Sequence, residues 1–200
     1  MNADVPALLI TVDTNLLDRD RLLALTACIS MPFDMQIATP TLRERGADRL
    51  ALLGIDAGIP ESGVWGEARW DEAVWDGPVA PPMELFIIGE TPLGAGVLAG
   101  DVAADRFEEI LRIISSNSFP APGRRDSVTD LQRRQMRDAL IFDAHVRAGR
   151  HVFVSNDQRA YVNHGRRKLL EELGATHIRT PEEFIDTGAS GCLRNLLTWP

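Results

Sequence analysis

Cysteine is scarce in this chain: Cys28 and Cys192 stand 164 positions apart, with no second cysteine near either. That spacing excludes a cysteine zinc knuckle or a CxxC redox pair, and both side chains read as small buried hydrophobes. Long apolar runs are missing too, and none approaches the ~20 residues that would span a bilayer. The opening MNADVP lacks the basic stretch followed by an apolar one that marks a secretory leader, so the expected location is the cytoplasm, with no membrane partner. Lysine is nearly absent: Lys168 is the one lysine among 21 basic residues. Genome composition alone can produce such a bias, and the arginine preference carries no functional weight.

There is no overall basic excess either, since the net charge is −8. Nucleic-acid affinity depends on local basic surface, so the distribution matters more than the total. Residues 1–110 carry 19 acids against 7 arginines, whereas residues 111–200 carry 10 acids against 14 basic residues. The C-terminal part is the basic side. With 44% hydrophobic and 25% charged residues, the composition is that of an ordinary soluble globular protein. A length of 200 residues suits one decorated domain, given ~100 to 200 residues per domain.

Ala7 to Asp13, ALLITVD, is a short continuous apolar run that predicts a buried parallel strand with an acid at its carboxyl end. A helix follows through LLDRDRLLALTACI, then a strand around Met35 to Ala38, then a helix opened by Thr41 and bracketed by Pro40 and Gly54. From Gly54 to about Gly123 the pattern loosens, and seven of the twelve prolines fall between Pro60 and Pro122. Within that elaboration ELFIIGE, 84–90, predicts a strand, and Asp105 to Ser116 has helical spacing of Phe107, Ile110, Leu111 and Ile114. Trp65, Trp70 and Trp75 echo every five residues, a step that fits neither helix nor strand. Stacking on bases is one use for them, and anchoring an irregular insertion is the commoner one. Residues 127–149 predict a long helix, His151 to Ser155 a strand, and Gln158 to Leu173 a further helix ending at Gly174. ATHIRT then leads into Thr180-Pro181-Glu182-Glu183, an N-cap with proline at the first helical position and a capping-box glutamate. Strands alternating with helices predict a three-layer α/β/α sandwich around a central parallel sheet.

Two aspartates close apolar strands, Asp13 after ALLITV and Asp157 after HVFVSN. Each alone is read equally well as an N-cap or an Asx turn. Together they are more informative, because the carboxyl ends of parallel strands are where α/β folds place ligands. Glu44 lies in Thr41-Leu42-Arg43-Glu44, which is by itself a capping box. Asp138 lies within about 80° of Leu131, Ile141, Phe142, His145 and Val146 on a helical wheel, which puts it on the core-facing arc. An i,i−4 pair with Arg134 is its bland alternative. Asp143, about 140° away, groups with Arg147 and Arg133 on an expected solvated face. His145 is expected to be a core or supporting group.

VDTN at 12–15, TLRERG at 41–46, RDALI at 137–141, VSND at 154–157 and TPEEF at 180–184 together resemble the PIN-domain pattern. The resemblance covers about 5–54 and 124–186, and it implies a single PIN-like domain over 1–200 with an insertion at about 55–123. It implies that Asp13, Glu44, Asp138 and Asp157 surround a divalent metal, Mg²⁺ or Mn²⁺, with Thr14, Asn15 and Ser155 as supporting hydrogen-bonders. The implied activity is metal-dependent phosphodiester hydrolysis, of RNA before DNA. Arg43, Arg45, Arg124, Arg125 and Arg159 are candidate phosphate contacts, each equally an ordinary surface charge. Two alternatives stand: a PIN fold that only binds, its chemistry lost, and a phosphatase with Asp13 as nucleophile. The second lacks the acid expected two residues on, where Asn15 stands. A homodimer is compatible with this reading, and an antitoxin-like partner has no support in the sequence.

Overall fold

The computed structural model describes residues 6–38, 56–59, 101–121, 124, 128–163 and 165–199, with the backbone alone for 56–59 and 101–104. The chain forms two compact units, one of residues 1–59 with 145–200 and one of residues 60–144. Glu44, Arg43, Arg45, Arg125, the predicted helix opened by Thr41, the predicted strand at 84–90 and the three spaced tryptophans lie outside the described residues.

The first unit is built on β1 (Leu8–Val12), β2 (Phe33–Ala38), β3 (Asp56–Ile59), β4 (Val152–Val154) and β5 (His177–Arg179). These strands form one sheet in the order β3-β2-β1-β4-β5, and every pairing is parallel. The chain winds outward from β1 to β3 and then returns to lay β4 against the free side of β1. The direction of winding therefore reverses between β1 and β4, the switch point at which an open parallel sheet leaves a crevice outside its carboxyl ends.

Both faces of β1 are covered, which is why ALLITV reads as continuous rather than alternating. Leu8, Ile10 and Val12, with Val152 and Val154 of β4, form one core with Leu22 and Leu25 of α1 (Arg19–Ala27) and Phe184 of α5 (Pro181–Ala189). On the other face Phe153 meets the rings of His145 and Tyr161, at centroid distances of 5.3 and 4.8 Å. His145 belongs to the last turns of α3 (Asp130–Arg147). The fold is thus the expected α/β/α arrangement around a parallel sheet.

His145 is a core residue whose two nitrogens are both spoken for. Thr176 Oγ1 lies 2.9 Å from the His151 carbonyl and 3.2 Å from that of Arg150, so its hydroxyl hydrogen is donated there. It must then accept from His145 Nε2–H at 2.7 Å, which leaves Nδ1 to accept from the Thr11 hydroxyl, also at 2.7 Å. The imidazole is held neutral, and burial, reinforced by Arg150 and His151, pushes its pKa down to about 3. A depressed histidine contributes stability that is complete above its unfolded value near 6.5 and is lost as pH falls toward the folded one. We therefore expect the melting temperature to drop between pH 6.5 and 4, and His145→Gln to flatten that drop while lowering the neutral-pH plateau. Thermal melts across that range check it.

Local signals placed several boundaries. Asp18 caps α1 through the Asp20 and Arg21 N–H groups, both at 3.1 Å, and a 3₁₀ turn over Thr14–Leu16 precedes it. The Thr180 capping box opens α5 as predicted. The helix expected from Gln158 to Leu173 is instead broken. Asn163 N–H reaches the Gln158 carbonyl at 2.8 Å, closing a wide turn over Gln158–Val162. Gly165 then takes φ 74° before α4 (Arg166–Gly174) begins, a left-handed conformation that glycine adopts at no steric cost. Cys192, expected to be buried, is exposed in the turn after α5, while Cys28 is half-buried.

In the second unit α2 (Asp101–Ile114) buries Phe107, Ile110, Leu111 and Ile114, the four positions its spacing marked. Two expectations for α3 fail there. Leu131, placed on the core arc, is 66% exposed, and Asp143, placed on a solvated face, is 0% exposed. The wheel assumed one buried face, but α2 supplies a second: Arg106 Nε donates to Asp143 Oδ1 at 2.8 Å. A buried carboxylate must be paired, and the arginine comes from the proline-rich elaboration, not from α3 itself. We expect Asp143→Asn to cost ~3 kcal/mol, because it leaves the arginine without its counter-charge, measured by urea unfolding.

Candidate functional site

Asp13 ends β1, and its backbone N–H bonds to the Val154 carbonyl at 3.0 Å, the last rung of the β1–β4 pairing. This puts the side chain at the carboxyl edge, directly beside Ser155, where β4 ends. The Ser155 hydroxyl donates to Asp13 Oδ2 at 2.5 Å, and the Asp157 N–H donates to the Ser155 oxygen at 3.0 Å. One hydroxyl therefore ties the two strand-end aspartates together, as their sequence positions predicted.

The residues after Asp13 complete its surroundings. Thr14 donates to Oδ1 through its backbone N–H at 2.7 Å and through its hydroxyl at 3.3 Å. The Asn15 amide NH₂ donates to Oδ2 at 3.0 Å, and its Oδ1 accepts the Asn156 N–H at 3.2 Å. Asn15 thus bridges the two strand-end loops. Arg21 donates to the Asn15 carbonyl at 3.2 Å. That contact could have been suspected only from the Asp18 cap, which starts α1 close enough for a first-turn arginine to reach back.

Asp157 is half-buried and caps the following turn, its Oδ1 accepting the Arg159 and Ala160 N–H groups, both at 2.8 Å. Its Oδ2 accepts no hydrogen bond among the described residues. Asp13 is 5% exposed, and among the described residues neither aspartate forms an ion pair. Burial drives the Asp13 pKa up to about 6. The bonds from Ser155 and Thr14 oppose that rise, and the nearby Asp157 charge adds to it. A carboxylate that is buried and shares its site with a second acid is costly to ionise.

Two of the remaining predicted site residues, Asp138 and Arg124, belong to the other compact unit. Asp138 is half-buried on α3, within the 60–144 unit. Arg159 and Arg124 are exposed, and Arg159 follows Asp157 by two residues. Among the described residues no three His, Cys, Asp or Glu side chains are grouped closely enough to hold a metal ion, and no helix is long and apolar enough to cross a membrane. Comparison with family models, curated proteins and solved structures returns no match.

Because Ser155 donates to the ionised form of Asp13, Ser155→Ala should raise the Asp13 pKa above about 6. It should also lower metal-free stability at pH 7 by ~1 to 3 kcal/mol, the cost of a lost bond to a buried charge. Carbon-detected NMR titration of the Asp13 carboxyl reads the first effect and chemical unfolding the second.

Proposed function

We propose that this protein is a divalent-metal-dependent nuclease acting on RNA. The observation that carries the proposal is the Asp13–Ser155–Asp157 arrangement at the switch point of the sheet, with two carboxylates that among the described residues have no ion-pair partner and one carboxylate oxygen that among them has no donor. Its likeness to the PIN pattern supplies the reaction class.

The donor set fits a hard cation such as Mg²⁺ or Mn²⁺, which takes carboxylate oxygens and keeps several waters. Asp13 through Oδ1, whose hydroxyl contact with Thr14 is long at 3.3 Å, and Asp157 through its uncommitted oxygen would hold it. On the resemblance, Asp138 and Glu44 would complete the set. Such an ion would supply an acidified water and charge stabilisation at the phosphate. The protein's own part is positional: Ser155 and Asn15 fix the Asp13 carboxylate, and the Arg159 and Ala160 N–H groups fix that of Asp157. Arg159, exposed and two residues after Asp157, would meet a phosphate. The aspartate-nucleophile alternative gains no support, because Asn15 is no acid and its amide is engaged with Asp13 and Asn156.

The test is incubation of the purified protein with Mn²⁺ and labelled single-stranded RNA, duplex RNA and flap DNA. We expect cleavage of single-stranded RNA that is lost in Asp13→Asn, Asp157→Asn and Asp138→Asn. Failure to cut any of the three substrates, or full activity in Asp13→Asn, would overturn the proposal. Stability gives an independent check. A folded-state carboxyl pKa raised from 3.8 to about 6 means that ionising Asp13 costs stability as pH rises through that window, and the cost persists above it. Asp13→Asn should therefore raise the metal-free melting temperature at pH 7 and leave it unchanged below pH 4, while Mn²⁺ should stabilise the parent more at pH 7 than at pH 5.

A further inference from the structure

The amino edge of the same sheet holds a cavity of about 220 Å³ whose walls include Arg150, His151, His177, Leu196, Leu197 and Trp199. His151 immediately precedes β4 and Ser155 immediately follows it, so this cavity lies at the opposite end of the strand from the aspartate pair, ~13 Å away at ~3.3 Å per residue. Among the described residues no acidic side chain lines it.

The hydrogen-bond inventory of the walls is lopsided. The Leu9 N–H donates to His151 Nδ1 at 3.0 Å, so the neutral ring carries its hydrogen on Nε2. That Nε2–H has no acceptor among the described residues, and neither does the indole N–H of Trp199. Arg150, 6% exposed, also has a buried Nε without an acceptor. His177 is satisfied: its Nε2–H donates to the Thr198 carbonyl at 3.0 Å, and its Nδ1 faces Arg179 Nη2 at 3.4 Å. Its ring packs against Trp199 at 5.1 Å, which holds the indole at the cavity wall. The carboxyl end of α4 also reaches this place, but the Glu171 carbonyl is capped by the Ala175 and Thr176 N–H groups. Arg150 brings a positive field to the cavity, and the His151 pKa is lowered first by burial and then by Arg150 and His177. Asp34 on Arg150 and Glu171 on Arg179, each at 2.9 Å, offset part of that field.

Donors that find no acceptor among the described residues, in a cavity bounded by Arg150 and apolar side chains, are complementary to a group that only accepts. We propose that this amino-edge cavity binds the oxyanion of a small molecule, a phosphate or carboxylate, which takes hydrogen bonds from His151 Nε2–H and the Trp199 indole N–H while Leu196 and Leu197 cover its apolar body. The site is independent of the nuclease reading.

The test is NMR of the full chain. The Trp199 indole N–H, assigned by its loss in Trp199→Phe, is followed while sodium phosphate and, separately, sodium benzoate are added at constant ionic strength against sodium chloride. We expect a saturable shift with at least one of the two, at a Kd on the order of 1 to 10 mM, and roughly tenfold weaker binding in Trp199→Phe and His151→Ala, read from the remaining cavity resonances. A response to phosphate alone identifies a phosphoryl ligand, and a response to benzoate alone identifies a carboxylate on an apolar body. An indole resonance unmoved by both, or moved equally by chloride, overturns the proposal. So does unchanged affinity in Trp199→Phe, which keeps an aromatic ring against His177 and removes only the donor.

Discussion

The parallel pairing of β1 with β4 is the constraint on which the rest of the structure depends. Ile10, Thr11 and Val12 lie opposite Val152, Phe153 and Val154, residue for residue. Because side chains alternate, this register puts Ile10, Val12, Val152 and Val154 into one core while Thr11 and Phe153 turn to His145 on the other face. A slip of one residue would exchange the two sets and bury a threonine among leucines. The same register places Asp13 next to Ser155. Core packing and site geometry are therefore consequences of a single choice, and the apolar set is what holds the aspartate in place.

That pairing also separates charge along the strands. The carboxyl edge collects Asp13 and Asp157 with neutral donors around them. The amino edge collects Arg150, His151 and His177. Arg150 does structural work there, donating to the Ile10 carbonyl at 2.7 Å, the Asp34 carbonyl at 2.6 Å and the Asp34 carboxylate at 2.9 Å. One guanidinium so stitches β1, β2 and the turn before β4. The contrast between edges is not a helix-dipole effect alone, because the side chains themselves carry the opposite signs.

Legibility followed the range of the interactions. Continuous apolar runs identified β1 and β4, and the Thr180 box identified the start of α5, because those signals lie within a few residues of the element they set. The pairing of Asp13 with Asp157 was legible for a different reason: both close short buried strands, and in a parallel sheet such ends share an edge. The environment of Asp143 was not legible. A helical wheel reports only the helix's own residues, and the partner that buries Asp143 is Arg106, 37 positions earlier. The break before α4 was not legible because the apolar period continues on both sides, whereas the backbone leaves the helix at the extended Asn163 and the left-handed Gly165. The amino-edge cavity had no local signature, since its walls come from the turns before β4 and β5 and from Leu196, Leu197 and Trp199.

The magnitudes at Asp13 decide what the site is shaped for. A carboxylate accepting two or three good hydrogen bonds can be driven below a pKa of ~2. Here Thr14, Asn15 and Ser155 donate four bonds, yet the pKa moves the other way, to about 6. Desolvation outweighs the donors, and the second carboxylate adds to it. At ~1.4 kcal/mol per pKa unit, the free protein gives up on the order of 3 kcal/mol near neutral pH to keep this group ionised. If stability alone shaped the position, an asparagine would hold the same Ser155 contact with no charge to desolvate. The donors thus do not minimise the energy of the carboxylate. They fix its direction, while burial and the neighbouring Asp157 charge keep it costly to ionise, and that combination is what the proposed cation would relieve.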